Sequence, residues 1–176
     1  MRLTRRQALA GAAVTAAALP DVALAQDKKA MNIAALTSSL RAVQAAVVSY
    51  EAIANGSLLR SSAENTFRTF LEHEREHAQA LGEALGQMGG REPAPPLRAQ
   101  IPGLTSLRSE QQAIELAIGL ERRALSTYYR AASQLKDANA LKTLMSVMGC
   151  DGQHVTVLRQ MAGRPAVPRA FETGAA

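Results

Sequence analysis

Apolar residues recur along most of this chain at steps of three and four. Between Met31 and Leu59 they fall at Ile33, Leu36, Leu40, Val43, Val47, Ala54 and Leu58, the spacing of one buried helical face. Asn55-Gly56-Ser57 weakens the end of that helix. A second helix follows Ser61-Ser62, read as its caps, with a stripe at Phe67, Phe70, Leu71, Ala78, Leu81, Leu85 and Met88, and Gly89-Gly90 stops it. A third runs from about Ser109 to Leu135 with Ile114, Ala117, Ile118, Leu125, Tyr128, Ala132 and Leu135 inward. The fourth runs from about Asp137 to Ala162 with Leu141, Leu144, Met145, Met148, Val155, Leu158 and Met161 inward, and Pro165 and Pro168 end it.

No alternating, strand-like run of useful length appears, so the expected fold is all-α, a four-helix bundle of helices ~25 residues and ~37 Å long. The short link between the first two helices predicts that they pack antiparallel. Residues 91–108 hold Pro93, Pro95, Pro96, Pro102 and Gly103 and show no helical period. At ~3 Å per residue this extended linker can run the length of the bundle, as a crossover between helices two and three. The bundle is expected over residues 26–165, with an irregular tail from 166 to 176.

What interrupts the stripes is chemistry. Val47 and Ala54 flank Glu51 on the first helix; Phe70, Leu71, Ala78 and Leu81 surround Glu74 and His77 on the second; Ala117, Ile118, Ala124 and Leu125 surround Glu121 on the third. On the fourth, Met148, Val155 and Leu158 place Asp151 and His154 inward, again three residues apart. Four unpartnered buried carboxylates would cost several kcal/mol each, while a domain is stable by only ~5–15 kcal/mol. The inward stripes carry no matching number of Lys or Arg. Two divalent cations would balance four carboxylates and use both imidazoles, and oxygen with one nitrogen per metal and no sulfur suits iron or manganese. Measured at 1.5 Å per residue, the four carboxylates agree in depth to within about one helical turn if helix three starts beside the first turn. That arrangement requires the crossover.

The N-terminus reads as an address. Met1 to Gln7 carries Arg2, Arg5 and Arg6, Ala8 to Leu19 is uncharged and moderately apolar, and Ala23-Leu24-Ala25 offers small residues at cleavage spacing. Residues 1–25 are thus expected to be a signal peptide, and Arg5-Arg6 just before an alanine-rich run resembles a twin-arginine signal, which exports folded proteins. The expected location is the periplasm or cell envelope. The apolar run is too short to span a bilayer, and no later segment is expected to insert stably in a membrane. The whole chain has 20 Lys+Arg against 15 Asp+Glu and a formal charge of +5, which falls to +3 without residues 1–25, with no basic block. Nucleic-acid binding is not expected. A single cysteine excludes an internal disulfide and cysteine-held iron–sulfur clusters.

Glu51, then Glu74-x-x-His77, then Glu121, then Asp151-x-x-His154 resembles the ferritin-like di-metal carboxylate pattern, in which two helices give one glutamate each and two give Glu-x-x-His. The run Leu71-Glu-His-Glu-Arg-Glu-His77, followed by Gly-Gly and a proline-rich linker, is similar to exported bacterial ferritin-like domain proteins. The resemblance implies Glu74 and Asp151 bridging two metals, Glu51 and Glu121 as terminal ligands, and one metal each for His77 and His154. The cofactor it implies is two iron ions, with manganese as the alternative, and the partners are metal ions and small oxidants. The implied activity is a ferroxidase or peroxide-consuming oxidoreductase. Asp151 departs from the family's glutamate and stands between Gly149 and Gly152: either the glycines let the backbone approach, or they break the helix and leave a partial site. The alternative class is a non-enzymatic envelope bundle with a structural, degraded or absent metal site. A storage cage is disfavoured by the lack of a clear fifth helix, and a homodimer is left open. His73 and Glu76 fall off the inward stripe and read as solvated, Cys150 as a small buried hydrophobe, and Tyr128 as a core residue or an outer partner of a ligand.

Overall fold

The computed structural model describes residues 20–174. Most of the segment read as an export signal, residues 1–19, lies outside the described residues. Four helices make up the fold: α1 (Pro20–Ala54), α2 (Ser61–Gln87), α3 (Glu110–Gln134) and α4 (Ala138–Met161). There is no strand among the described residues, and the fold is an all-helical four-helix bundle.

α1 begins well before Met31. Its opening turns are solvent-facing, with Val22, Leu24 and Met31 at 48%, 56% and 40% exposure, so they carry no apolar stripe for periodicity to detect. Contrary to the sequence expectation, α1 from Leu24 to Ala54 is long and apolar enough to cross a membrane by length and composition. In the fold its apolar side is taken up by neighbouring helices: Leu36, Leu40, Val43, Ala46, Tyr50 and Ile53 are each at most 2% exposed.

Two polar contacts fix the directions of the helices. The N–H of Arg60, at the start of α2, donates to Glu110 Oε2 at the start of α3. At the other end, Asn32 Oδ1 on α1 accepts from the N–H groups of Lys136 and Asp137, in the turn between α3 and α4. α2 and α3 therefore run parallel, and the segment joining them crosses the length of the bundle. It passes over α1, where Gln44 Nε2 donates to Pro93 O, and it makes two single turns of 3-10 helix at Arg98–Gln100 and Leu104–Ser106 that press Ile101 and Leu104 into the core. α1 packs on α2 and α3, and α4 on α3 and α2.

Local signals set the helix ends. Ser109 Oγ accepts from Gln112 N and Asp137 Oδ1 from Ala140 N, each satisfying one orphan donor of a first turn. Ser61 and Ser62 do not cap α2; the cap position is Arg60, without a side-chain bond. α2 closes at Gly89, whose φ of 75° suits glycine, with Gly90 N donating to Leu85 O. Met145, expected inward, is 48% exposed on α4.

The apolar interior forms two clusters stacked along the bundle. One gathers Leu40, Val43, Leu81, Leu85, Leu125 and Leu144; the other gathers Tyr50, Ile53, Phe67, Phe70, Ile118 and Leu158. Between them lies a polar layer.

Candidate metal centre

Each of three helices delivers acid to that layer from a stripe that is otherwise apolar. On α2 Glu74 falls between Phe70 and Leu81, on α3 Glu121 between Ile118 and Leu125, and on α4 Asp151 and His154 between Val147 and Leu158. Glu74, Glu121 and Asp151 are fully buried and His154 is 2% exposed. One ligand-type atom from each of these four residues lies within 4.8 Å of all the others. His154 Nδ1 is 3.3 Å from Glu121 Oε1, 3.4 Å from Glu74 Oε1 and 3.9 Å from Asp151 Oδ1. His77 joins from the α2 side, its Nδ1 3.2 Å from Asp151 Oδ1 and 3.4 Å from Glu74 Oε1.

The layer is crowded with acceptors and short of donors. Both oxygens of Glu74, both of Asp151 and Oε2 of Glu121 are buried without a hydrogen-bond partner, as is His77 Nδ1. Groups left this way in a protein interior normally cost enough to be eliminated. Their spacing suits a shared cation, because ligand atoms held ~2.1 Å from one ion stand roughly 3.0–3.4 Å from each other. The donor set, three carboxylates and two imidazoles, fits a hard or borderline divalent metal.

Proton affinities reflect the same crowding. Burial alone would lower the pKa of both histidines, but the facing carboxylates override it: Asp151 and Glu74 lift His77 to about 11, and Glu121 and Glu74 lift His154 to about 10. Burial pushes Glu121 up to about 8, against its bond to His154 and with the help of the Glu74 and Asp151 charges. Asp151 is also raised, by burial first; burial pushes Glu74 up too, but the nearby His154 and His77 together outweigh it and hold Glu74 below its ordinary value.

Five of the six predicted ligands meet here; Glu51 does not. Its side chain is 43% exposed and its Oε1 accepts from Arg75 at 3.1 Å. Adjacent helical residues point about 100° apart, and it is Tyr50 that enters the layer. Its hydroxyl donates to Glu121 Oε1 at 2.5 Å, and burial followed by the Glu121 charge holds its pKa well above 10. Tyr128 is likewise buried, raised by burial and then by Asp151, and its hydroxyl has no hydrogen-bond partner. Gly149 and Gly152 do not break α4, which is continuous across them, and Asp151 reaches the layer from an unbroken helix.

Two residues not counted among the ligands, His73 read as solvated and Cys150 as a small buried hydrophobe, also meet the layer. His73 is partly buried between α2 and α4, with Nδ1 3.0 Å from His154 Nε2, and Cys150 is partly exposed with Sγ 3.6 Å from the same nitrogen. Neither position belongs to an inward stripe, so periodicity carried no signal for them; the only hint was their chemistry. Phe70 stacks on the His154 ring, centroids 4.0 Å apart. A surface groove between α2 and α4, lined by Glu76, His77, Ala80, Thr143, Ser146 and Val147, opens at His77.

The profile of the family described as Ferritin-like domain matches residues 44–164. No curated protein matches the sequence. Among solved structures, the conserved hypothetical protein rv2844 from Mycobacterium tuberculosis superposes with a TM-score of 0.70 at 17% identity, over 82% of this chain and 99% of that one. A structure described as ferritin like, diiron-carboxylate proteins from Bacillus anthracis str. Ames gives a TM-score of 0.65 at 19% identity, over 77% of this chain and 97% of that one. At these identities the structural likeness speaks for the fold.

Proposed function

Since this chain belongs to the ferritin-like domain family, we propose that its core layer binds a pair of iron or manganese ions and that the protein oxidises ferrous ion or consumes peroxide or oxygen. The observation that carries this reading is the set of five buried carboxylate oxygens, on Glu74, Glu121 and Asp151, that lack hydrogen-bond partners beside two imidazoles. Glu121 and His154 would hold one ion and His77 the other, with Glu74 and Asp151 between them. Without Glu51, the His77 side has one ligand fewer. That side also adjoins the groove between α2 and α4, the route by which a small oxidant would enter.

Reduced iron or manganese held in this way supplies electrons to oxygen or peroxide. The chain's own residues position and shield. Tyr50 ties down Glu121 Oε1 and leaves Oε2 to a ligand role, and Phe70 covers the His154 ring. We further propose export to the cell envelope in folded form, with any metal already loaded. This rests on Arg5-Arg6 before the apolar run and on Ala23-Leu24-Ala25.

One observation favours a second reading, a non-enzymatic bundle. With pKa values of about 11 and about 10, His77 and His154 carry protons at neutral pH, where Glu121, at about 8, is also mostly protonated, so the imidazolium charges face Glu74 and Asp151. Anaerobic titration with ferrous ion, followed calorimetrically on protein stripped with chelator, separates the two. The metal reading expects up to two ions per chain with unequal affinities. Glu74→Gln should weaken both by more than the ~10–100-fold that loss of an outer partner costs, while Glu51→Gln leaves the tighter ion in place. No uptake by the wild-type chain would leave the non-enzymatic bundle standing.

A further inference from the structure

His154 has two working edges. Its Nδ1 faces Glu121 and Glu74, and its Nε2 faces the opposite way, towards the seam between α2 and α4. There His73 Nδ1 stands 3.0 Å from His154 Nε2, Cys150 Sγ 3.6 Å from the same nitrogen, and Cys150 Sγ 3.9 Å from His73 Nδ1. The planes of the two imidazoles are 9° apart and their centroids 5.3 Å apart, so the nitrogens meet edge to edge. Cys150 and His154 sit one turn apart on α4, and His73 reaches them from α2.

We propose that His73, Cys150 and His154 form a binding site for a thiophilic cation, zinc(II) or copper(I), on the outer edge of the oxygen-rich layer, with which it shares His154. One thiolate and two imidazoles are the donors that such ions select, whereas carboxylates favour harder metals. The spacing fits. With metal–nitrogen and metal–sulfur bonds of about 2.05 and 2.3 Å, tetrahedral ligands stand roughly 3.3 Å apart nitrogen to nitrogen and roughly 3.6 Å nitrogen to sulfur. The two nitrogen–sulfur distances, 3.6 and 3.9 Å, stand at and just above the second value, and the nitrogen pair at 3.0 Å stands below the first, so the partly exposed His73 ring must swing outward for both lone pairs to converge on one ion. An imidazole-to-imidazole hydrogen bond would account for the 3.0 Å contact, but not for a thiol placed against both nitrogens.

His73 and Cys150 are each partly exposed, so an ion reaches them from solvent and keeps a fourth position for water. A neutral imidazole has one lone pair and one N–H. With its lone pair on this ion, His154 keeps the Nδ1 proton and can donate it to Glu121 or Glu74. The site therefore forms without an ion in the carboxylate layer, while an ion held there through His154 Nδ1 would compete with it for the one lone pair of the shared ring.

The test is titration of the full, metal-stripped and reduced chain with cobalt(II) as a spectroscopic stand-in for zinc, alongside equilibrium dialysis with zinc and, anaerobically, copper(I). Wild type should show a thiolate-to-cobalt charge-transfer band and bind one zinc or copper(I) per chain outside the carboxylate layer. Cys150→Ala should abolish the band, and His73→Gln should weaken zinc or copper(I) binding at least tenfold. Glu74→Gln and Glu121→Gln should keep the band, even where ferrous uptake is lost. A wild-type cobalt complex without the band, or unchanged thiophilic-ion affinity in Cys150→Ala, overturns the proposal. Failure of ferrous uptake with the band intact would count only against the redox-metal reading.

Discussion

Three carboxyl groups placed where water cannot follow need positive charge, and in the metal-free protein protons on His77 and His154 supply it. The sign of the resulting pH dependence follows from the direction of each shift. His77 and His154, raised from 6.5 to about 11 and about 10, contribute stability in full below about pH 6.5 and lose it as pH climbs through the raised values. Glu121, raised from 4.5 to about 8, acts in the same direction, because across that range the folded chain keeps a proton that the unfolded chain has released. Glu74 acts oppositely, contributing above its ordinary value and losing that contribution as acid protonates it. Metal-free protein should therefore lose stability between about pH 7 and 9.5, with a falling urea midpoint. Metal affinity should rise over the same range, since binding must displace those protons. A chelated sample whose midpoint rises with pH would show that the histidines are not the counter-charges. Much of this layer was legible in the sequence: Glu74, His77, Glu121, Asp151 and His154 each break an apolar stripe at helical spacing. Tyr50 and Glu51 were not separable, because both neighbour the same stripe and an amphipathic tyrosine gives no polar interruption. Cys150 and His73 acquire meaning only from the packing of α2 against α4, which no local pattern encodes.

Among the elements, α4 tests the rules of helix formation most directly. Gly149 and Gly152 ought to weaken it, yet it runs unbroken from Ala138 to Met161, held by burial of Leu144, Val147, Val155 and Leu158. A Cβ at either glycine would meet nothing within 4 Å, and neither has positive φ. Nothing in the structure explains why glycine stands there. Gly149→Ala and Gly152→Ala should each stabilise the fold by ~0.5–1 kcal/mol through helix propensity, read from chemical denaturation of the metal-free protein. Destabilisation would mean that α4 must flex at Asp151. Most helix ends were legible because Gly89-Gly90, Ser109 and Asp137 act locally. The start of α1 was not, since exposed helix leaves no stripe. The 3-10 turns of the crossover were also hidden, because Ile101 and Leu104 form a single three-residue step, too short to define a period.

For the molecule as a whole, the crossover makes α1–α2 one hairpin and α3–α4 another, joined by a segment that passes over α1. The polar layer belongs to neither hairpin: Glu74 and His77 come from one, Glu121, Asp151 and His154 from the other. Asn32 of α1, bonded to the turn between α3 and α4, and Glu110 of α3, bonded to the start of α2, fasten the two at opposite ends. An ion that needs ligands from both hairpins finds its site complete only after they dock, late in the reaction. Interactions absent from the folding transition state slow unfolding and leave folding alone. In a chevron experiment, ferrous or manganous ion should lower the unfolding limb while the refolding limb overlays that of the chelated protein. Faster refolding with metal would place capture of the ion before docking. Bound metal would then be a latch closed on a finished structure, setting how long the fold lasts and not how quickly it forms.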